Sequence, residues 1–394
     1  MNILHLVYDE KFIMFAAEIF GACDDTTNLF LVIVGDVRAP LKHVSGLSNM
    51  RLVDRSYFYS NKVAEDLAWC DCLVVHYLGI PSARMILRAP ARTVEAWSGW
   101  GGDYYNLLPG AEKKLLGKAT VRLLSTVEGR SRRNVLGMPT FLWSTLRKLR
   151  ASLFVRPLLR KAISRADLFS APISEDFALL KTALGEDLRA EYVQINYGSI
   201  ERSFTSGLRE SIGHSILVGN SASATNNHVE VFQALSKIDL GGRDVVVPLS
   251  YGDADYRDAV IALGRELFGD RFRPIVDYKP LDEYNALIAG CSVAVMGHRR
   301  QQALGNIVTM LQLGGRVFLD RTSTVYHCLT HRGAFVFGLD ELEVCDNAVF
   351  APLTTEQKRR NRDIVQRLWG HDAVLRNVRR FVEVLRSRGA ARRA

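Results

Sequence analysis

What most restricts the fold open to this chain is a rhythm of short apolar runs, each ending in a turn and followed by a helical pattern. NILHLV (2–7), LFLVIVG (29–35), CLVVHYLG (72–79), ARTVEAWS (91–98), DLFSAPI (167–173) and YVQINYG (192–198) read as strands of the first half. SILVGN (215–220), DVVVPLS (244–250), RFRPIVDY (271–278), CSVAVMG (291–297) and GRVFLD (315–320) read as strands of the second. Runs this apolar belong to strands covered on both faces, hence to parallel sheets. Helical patterns at 228–238, 254–268, 281–290 and 305–314 alternate with them. The β-α-β order makes the class α/β.

A chain of 394 residues is long enough for two such cores. The polar, aperiodic ERSFTSGLRESIGH (201–214) marks the link between them. Residues 1–205 and 206–370 are therefore expected as two Rossmann-like domains facing across a cleft, followed by a helix and basic tail over 371–394. RSRGAARRA (386–394) is expected to be a frayed end.

The formal charge of +9 favours a polyanionic partner. Much of it sits in 110–166, where Lys113, Lys114, Lys118, Arg122, Arg147, Lys148 and Arg150 are opposed by only Glu112 and Glu128. Leu142, Trp143, Leu146, Leu149, Leu153 and Phe154 recur there at helical spacing. The segment about 112–166 reads either as an ordinary core-facing helix with a basic solvated side or as a surface that sits on anionic lipid. Nucleic acid is disfavoured, because no helix-turn-helix, zinc or RNA-recognition signature is present. No apolar run is long enough to span a bilayer, and MNILHLVYDEKF reads as a first strand, not a signal peptide. The six cysteines form no CxxC pair and read as reduced thiols of a cytoplasmic protein.

Three stretches carry the chemistry. In ILVGNSASATNNH (216–228) a buried strand ends at Gly219 and runs into small polar residues, the form of a loop that lets a ligand come close. In HRRQQALGN (298–306) two arginines and two glutamines precede a helix beginning near Gly305, an anion site in the making. Tyr251 and Tyr278 end two strands of the same half and are placed to stack on a base or ribose. In EAWSGWGGDYYNLL (95–108), tryptophans and tyrosines among glycines suit a carbohydrate face, and Asp103 suits a general base. His76, which ends VVH, and Asp9 stand behind it as candidates. His5 reads as a satisfied strand histidine. The absence of GxGxxG and GxxxxGK[ST] disfavours a dinucleotide oxidoreductase, an NAD-dependent epimerase and a P-loop NTPase.

Taken together these motifs resemble glycosyltransferase family 56, the 4-acetamido-4,6-dideoxygalactose (Fuc4NAc) transferases of enterobacterial common antigen synthesis. The resemblance runs over about 215–328 through ILVGNS with Asn-x-His, VVVP with Tyr251, LDEYNALIAGC, and RQQALGN with LQLGG. WSGWGGDYY extends it into the first half. It implies a GT-B fold whose C-terminal domain holds a dTDP-sugar and whose N-terminal domain holds a polyprenyl-diphosphate glycan. It places Gly219, Asn220, Ser221, Asn226, His228, Tyr251, Tyr278, Arg299, Arg300, Gln301, Gln302, Gly305 and Asn306 on the donor. Trp97, Trp100 and Tyr105 fall on the acceptor side, with Asp103 and His76 as catalytic groups. The chain departs from the family pattern at Ala303-Leu304-Gly305, where Gly-Ile-Gly is expected. Gln301 and Thr309 stand where many retaining GT-B enzymes carry glutamates, so an inverting displacement is expected. With no Asp-x-Asp in a suitable loop, no metal or cofactor is expected, the nucleotide-sugar being a substrate. The expected location is the inner face of a bacterial inner membrane, held peripherally. The other readings are a transferase using a UDP- or GDP-sugar and a non-lipid acceptor, and a non-catalytic basic membrane-binding adaptor.

Overall fold

The computed structural model describes residues 1–44, 46–131, 154–205, 213–344 and 347–393. They form two compact units, neither of which is continuous in sequence. The first comprises Met1–Pro109, the described residues 154–198 and the helix from Asp372 onward. The second comprises the described residues 110–131 and Ser199–His371.

The first unit is built on β1 (Asn2–Tyr8), β2 (Thr27–Ile33), β3 (Met50–Val53), β4 (Cys72–His76), β5 (Val94–Ser98), β6 (Leu168–Ser170) and β7 (Glu191–Tyr192). They lie in the order β3-β2-β1-β4-β5-β6-β7, and every pairing is parallel. All five residues of β4 and of β5 are buried. One face of the sheet packs Cys72, Val74 and Ala96 against Phe15, Ile19 and Phe20 and against Val374, Val378, Phe381 and Leu385.

The second unit repeats the plan with β8 (Ser215–Val218), β9 (Val245–Pro248), β10 (Phe272–Ile275), β11 (Cys291–Met296), β12 (Arg316–Leu319) and β13 (Phe337–Gly338). Their order is β10-β9-β8-β11-β12-β13, again all parallel. Val218, Val247, Val293 and Phe318 pack on Phe232, Leu235, Val260 and Phe268. Both orders reverse direction beside their first strand, at β1/β4 and at β8/β11. In open α/β sheets, ligands gather outside the carboxyl ends of the strands at such a point.

Three expectations are corrected. The basic segment does not belong wholly to the N-terminal half: helix Lys118–Ser131 groups with the second unit. Its first amides are captured by Glu230, whose Oε1 accepts from Ala119 N at 2.8 Å and Thr120 N at 3.0 Å. Leu123 and Leu124 then pack on the second core. The apolar face expected over 142–153 lies outside the described residues, and Phe154, at its end, is exposed.

The C-terminal tail is not frayed. The helix His371–Arg393 holds the edge of the first unit through Arg392 to Asp167 (2.6 Å), Arg393 to Asp71 (2.7 Å) and Arg388 to Glu191 (2.8 Å). Arg392 and Arg165 also flank buried Glu95, whose carboxyl is nonetheless raised to about 7 by its burial. Finally, of YVQINYG only Tyr192 is strand, as the second residue of β7, and the unit boundary falls after Gly198.

Candidate functional site

In the second unit the loops after β8 and β11 are knitted together at the switch point. Gly219 has φ +66°, and a Cβ there would lie 2.6 Å from Asn226 Oδ1 and 2.8 Å from His228 Nε2. Only glycine lets the chain turn this tightly over those two side chains. Asn226 is fully buried; its Oδ1 accepts from Asn220 N at 2.8 Å, and its amide donates to Ser221 Oγ (3.1 Å) and Ser223 O (2.9 Å). Asn227, left-handed at φ +51°, donates to Gly297 O at 2.7 Å, which binds one loop to the other.

His298 Nε2 faces Asn226 Oδ1 at 2.8 Å and Asn220 Oδ1 at 3.2 Å. Both partners are acceptors, so Nε2 carries the proton. Gln302 donates to Asn220 Oδ1 (3.1 Å) while its own Oε1 accepts from Thr225 Oγ1 (2.7 Å) and Arg300 Nε (2.9 Å). Asn220 reaches Tyr251 OH at 2.8 Å, and Asn306 reaches Tyr284 OH at 2.8 Å. The helix Leu304–Gln312 starts from Ala303, a left-handed residue with no side chain to cap it.

Two nitrogens in this floor, His228 Nε2 and His298 Nδ1, are buried with no hydrogen-bond partner. Burial holds His228 down to about 3, and burial with Arg300 and His228 nearby holds His298 well below the usual histidine value. Both rings are therefore neutral.

The structure thus brings Gly219, Asn220, Ser221, Asn226, His228, Tyr251, Arg300, Gln302 and Asn306 to one sheet edge, with Gln301 and Gly305 on the intervening loop and first helical turn. Ser221, Asn226 and His228 form its buried floor. Arg299 is engaged otherwise, bonding Asp320 Oδ2 at 3.2 Å and Leu116 O at 3.1 Å. Tyr278, 77 % exposed, has no hydrogen bond to this network. Thr225, Tyr284 and His298 were missed; for His298, its place directly after CSVAVMG was the available signal.

In the first unit the carboxyl ends of β1, β4 and β5 carry a ring cluster. Trp100 meets Tyr197 (5.6 Å between centroids), Tyr77 (6.1 Å) and Phe12 (6.2 Å), and all four are partly exposed. Tyr77 has φ +82°, a left-handed conformation that costs a side-chain-bearing residue ~1–2 kcal/mol; such strain concentrates at functional sites.

Beneath the rings lies Asp103, only 4 % exposed. Its Oδ2 accepts from Leu78 N and Trp97 Nε1, both at 2.8 Å, and its Oδ1 from Trp100 N at 2.9 Å. Burial raises its pKa against these bonds. These three bonds tie Asp103, the expected general base, to the Trp100 loop. Trp97 and Tyr105 are corrected: both are core residues, Trp97 edge-on to Phe169 and Tyr105 bonding Asp176 Oδ1 at 2.7 Å.

His76 is fully buried and faces no open edge directly. Its Nε2 meets His5 Nδ1 at 3.0 Å and its Nδ1 meets Tyr197 OH at 2.9 Å. His5 Nε2 lies 2.9 Å from Asn28 Oδ1, and the Tyr197 hydroxyl also bonds the Ser98 hydroxyl.

Comparison with solved structures defines the class. Over 98 % of this chain and 100 % of theirs, the fold matches sucrose-phosphate synthase from Thermosynechococcus elongatus (TM-score 0.66, 10 % identity) and Anabaena HepE in complex with UDP and glucose (0.60, 11 %). It also matches α,α-trehalose 6-phosphate synthase from Burkholderia multivorans over 99 % of this chain and 98 % of that one (0.61, 13 %). The architecture is that of the GT-B glycosyltransferases. Residues 201–350 match the sequence model of the family described as 4-alpha-L-fucosyltransferase glycosyl transferase group 56. Over that span the chain is similar to group 56.

Proposed function

We propose that the protein transfers a deoxyamino sugar of the Fuc4NAc kind from a dTDP-sugar to a polyprenyl-diphosphate-linked glycan, in bacterial surface polysaccharide synthesis. The observation that carries this reading is the Asn220–Asn226–His298–Gln302–Arg300 network at the β8/β11 switch point. The second unit binds the donor there. Arg300 and the uncapped amides of helix Leu304–Gln312 offset the charge growing on the nucleoside diphosphate as it leaves. The transfer is a single in-line displacement that inverts the anomeric carbon and uses no metal. The first unit receives the acceptor glycan on the Trp100 ring cluster, and Asp103 holds that loop in place. No described helix is long and apolar enough to cross a membrane; the basic segment 112–166 supplies peripheral contact with anionic lipid.

A calorimetric titration with dTDP and with UDP tests the donor assignment. dTDP binds more tightly than UDP, and Gln302→Ala weakens it about tenfold, equivalent to ~1.4 kcal/mol. Tighter binding of UDP points to the UDP-sugar reading, and binding of neither rejects the enzyme reading in favour of the adaptor. Neutralising Arg147, Lys148 and Arg150 lowers co-sedimentation with anionic vesicles; unchanged sedimentation removes the membrane role.

A further inference from the structure

Two helices of the first unit, Ile80–Arg88 and Arg156–Ile163, pack side by side. Arg165, two residues beyond the second helix, donates to Leu87 O at 3.2 Å and to Ala89 O at 2.8 Å, at the end of the first. The two helices therefore end together and run the same way. The first follows β4 and the second precedes β6, and β4, β5 and β6 are parallel, so both helices start at the carboxyl edge of the sheet. That edge carries the ring cluster. Ile80 stands three residues after Tyr77, and a Cβ on Gly79 would lie 3.2 Å from Tyr8 OH at the end of β1. Each helix turns its apolar side inward, through Ala83, Met85 and Ile86 in one and Leu159, Ala162 and Ile163 in the other. Arg156, Arg160 and Lys161 are exposed on the outer side, with Arg84 half-buried and bonded to the exposed Tyr59 hydroxyl at 2.9 Å. Asp187 stands 3.6 Å from Arg160, an exposed pair that solvent screens. At the shared start of the helices two large apolar side chains point out of the fold: Ile80 is 39 % exposed and Phe154 71 %.

We propose that this face of the first unit, made by helices Ile80–Arg88 and Arg156–Ile163 with Phe154, is where the protein rests on an anionic phospholipid bilayer. The assignment rests on the reading of a lipid-linked acceptor and gives its membrane contact an address. Cations on long aliphatic stems beside protruding apolar side chains suit the headgroup region, where the stems and rings lie among acyl carbons and the charges meet phosphates. A protein partner fits less well, because lysine is depleted at the centre of such interfaces. Of the basic segment, helix Lys118–Ser131 packs on the second core through Leu123 and Leu124, whereas Arg156–Ile163 packs on the first unit and presents its charge outward. With Ile80 and Phe154 in the interface, the carboxyl edge that carries Tyr77 and Trp100 is held at headgroup level. That is the height at which the glycan of a lipid-linked acceptor begins.

Co-sedimentation of the full chain with vesicles tests this, comparing phosphatidylglycerol mixed into phosphatidylcholine with phosphatidylcholine alone. The unsubstituted chain binds the anionic vesicles, and less so as salt is raised. Replacing Arg156, Arg160 and Lys161 together by Gln lowers that binding at least about tenfold. Ile80→Ser with Phe154→Ser lowers it by about tenfold as well, through lost apolar contact. Phe154→Ser alone, at the more exposed position, repeats the apolar arm with the least risk to the fold. Thermal melting and dTDP affinity of each variant match the unsubstituted chain, which separates lost contact from lost structure. Failure of the unsubstituted chain to sediment, or sedimentation unchanged by these substitutions, rejects the proposal. So does a loss seen on replacing Arg147, Lys148 and Arg150 but not on replacing these residues. The vesicles contain no nucleotide, so a chain that binds no dTDP overturns the transferase reading while the lipid result still stands or falls by itself.

Discussion

Gly219 lies directly over His228: a methyl group on the glycine would stand 2.8 Å from the imidazole Nε2. The bare turn after β8 is therefore set by what sits beneath it as much as by what binds above it.

Gly219→Ala combines a left-handed backbone, costing ~1–2 kcal/mol, with a clash against Asn226 Oδ1. The expected result is a destabilised second unit and at least about tenfold weaker dTDP binding, ~1.4 kcal/mol. Urea unfolding and calorimetry of the same sample check both.

Ala303 offers the opposite change. It holds φ +56° at the start of helix Leu304–Gln312, where the family pattern has glycine. Ala303→Gly relieves about 1 kcal/mol of strain, offset in part by the greater freedom of glycine in the unfolded chain. A small rise in melting temperature with unchanged nucleotide affinity is expected; a fall would show that the alanine methyl contributes packing.

Asp103→Asn replaces one acceptor oxygen by a donor that cannot accept from Leu78 N, Trp97 Nε1 or Trp100 N. Unmaking a buried bond of this kind costs roughly 1–3 kcal/mol. Stability and turnover should both fall, while dTDP affinity, a property of the second unit, stays. Loss of turnover without any loss of stability would mark Asp103 as the base.

The buried histidines make stability depend on pH. Burial depresses His5 to about 4 and His228 to about 3 from an ordinary 6.5. Above 6.5 both are neutral folded or unfolded, and their contribution is complete. As pH falls below 6.5 the unfolded chain binds protons that the folded chain refuses, so stability is lost at up to ~1.4 kcal/mol per pH unit for each. The urea midpoint should drop between pH 6.5 and 4, and replacing His228 by Gln should flatten that slope.

The strand rhythm was legible because β-branched runs such as VVVP and CLVVH can hardly be anything else. β3 and β13 escaped because MRLV carries an arginine and Phe337–Gly338 is only two residues long. The donor loop was legible as Gly219 followed by amides, since tight turns leave a compositional trace. Trp97 was misread for a physical reason: on a strand buried on both faces, an aromatic residue next to a glycine-rich loop is still core. The His5–His76–Tyr197 line could not be read at all, because its members stand 71 and 121 residues apart and nothing local announces a partner.

The helix that seals the first sheet comes from beyond Asp372, so it leaves the ribosome after every residue of the second unit. Phe381 and Leu385 must find Ile19 and Val74 across that delay. Until they do, the earliest-made sheet keeps one greasy side open, and the later-made unit has the chance to finish folding before the earlier one.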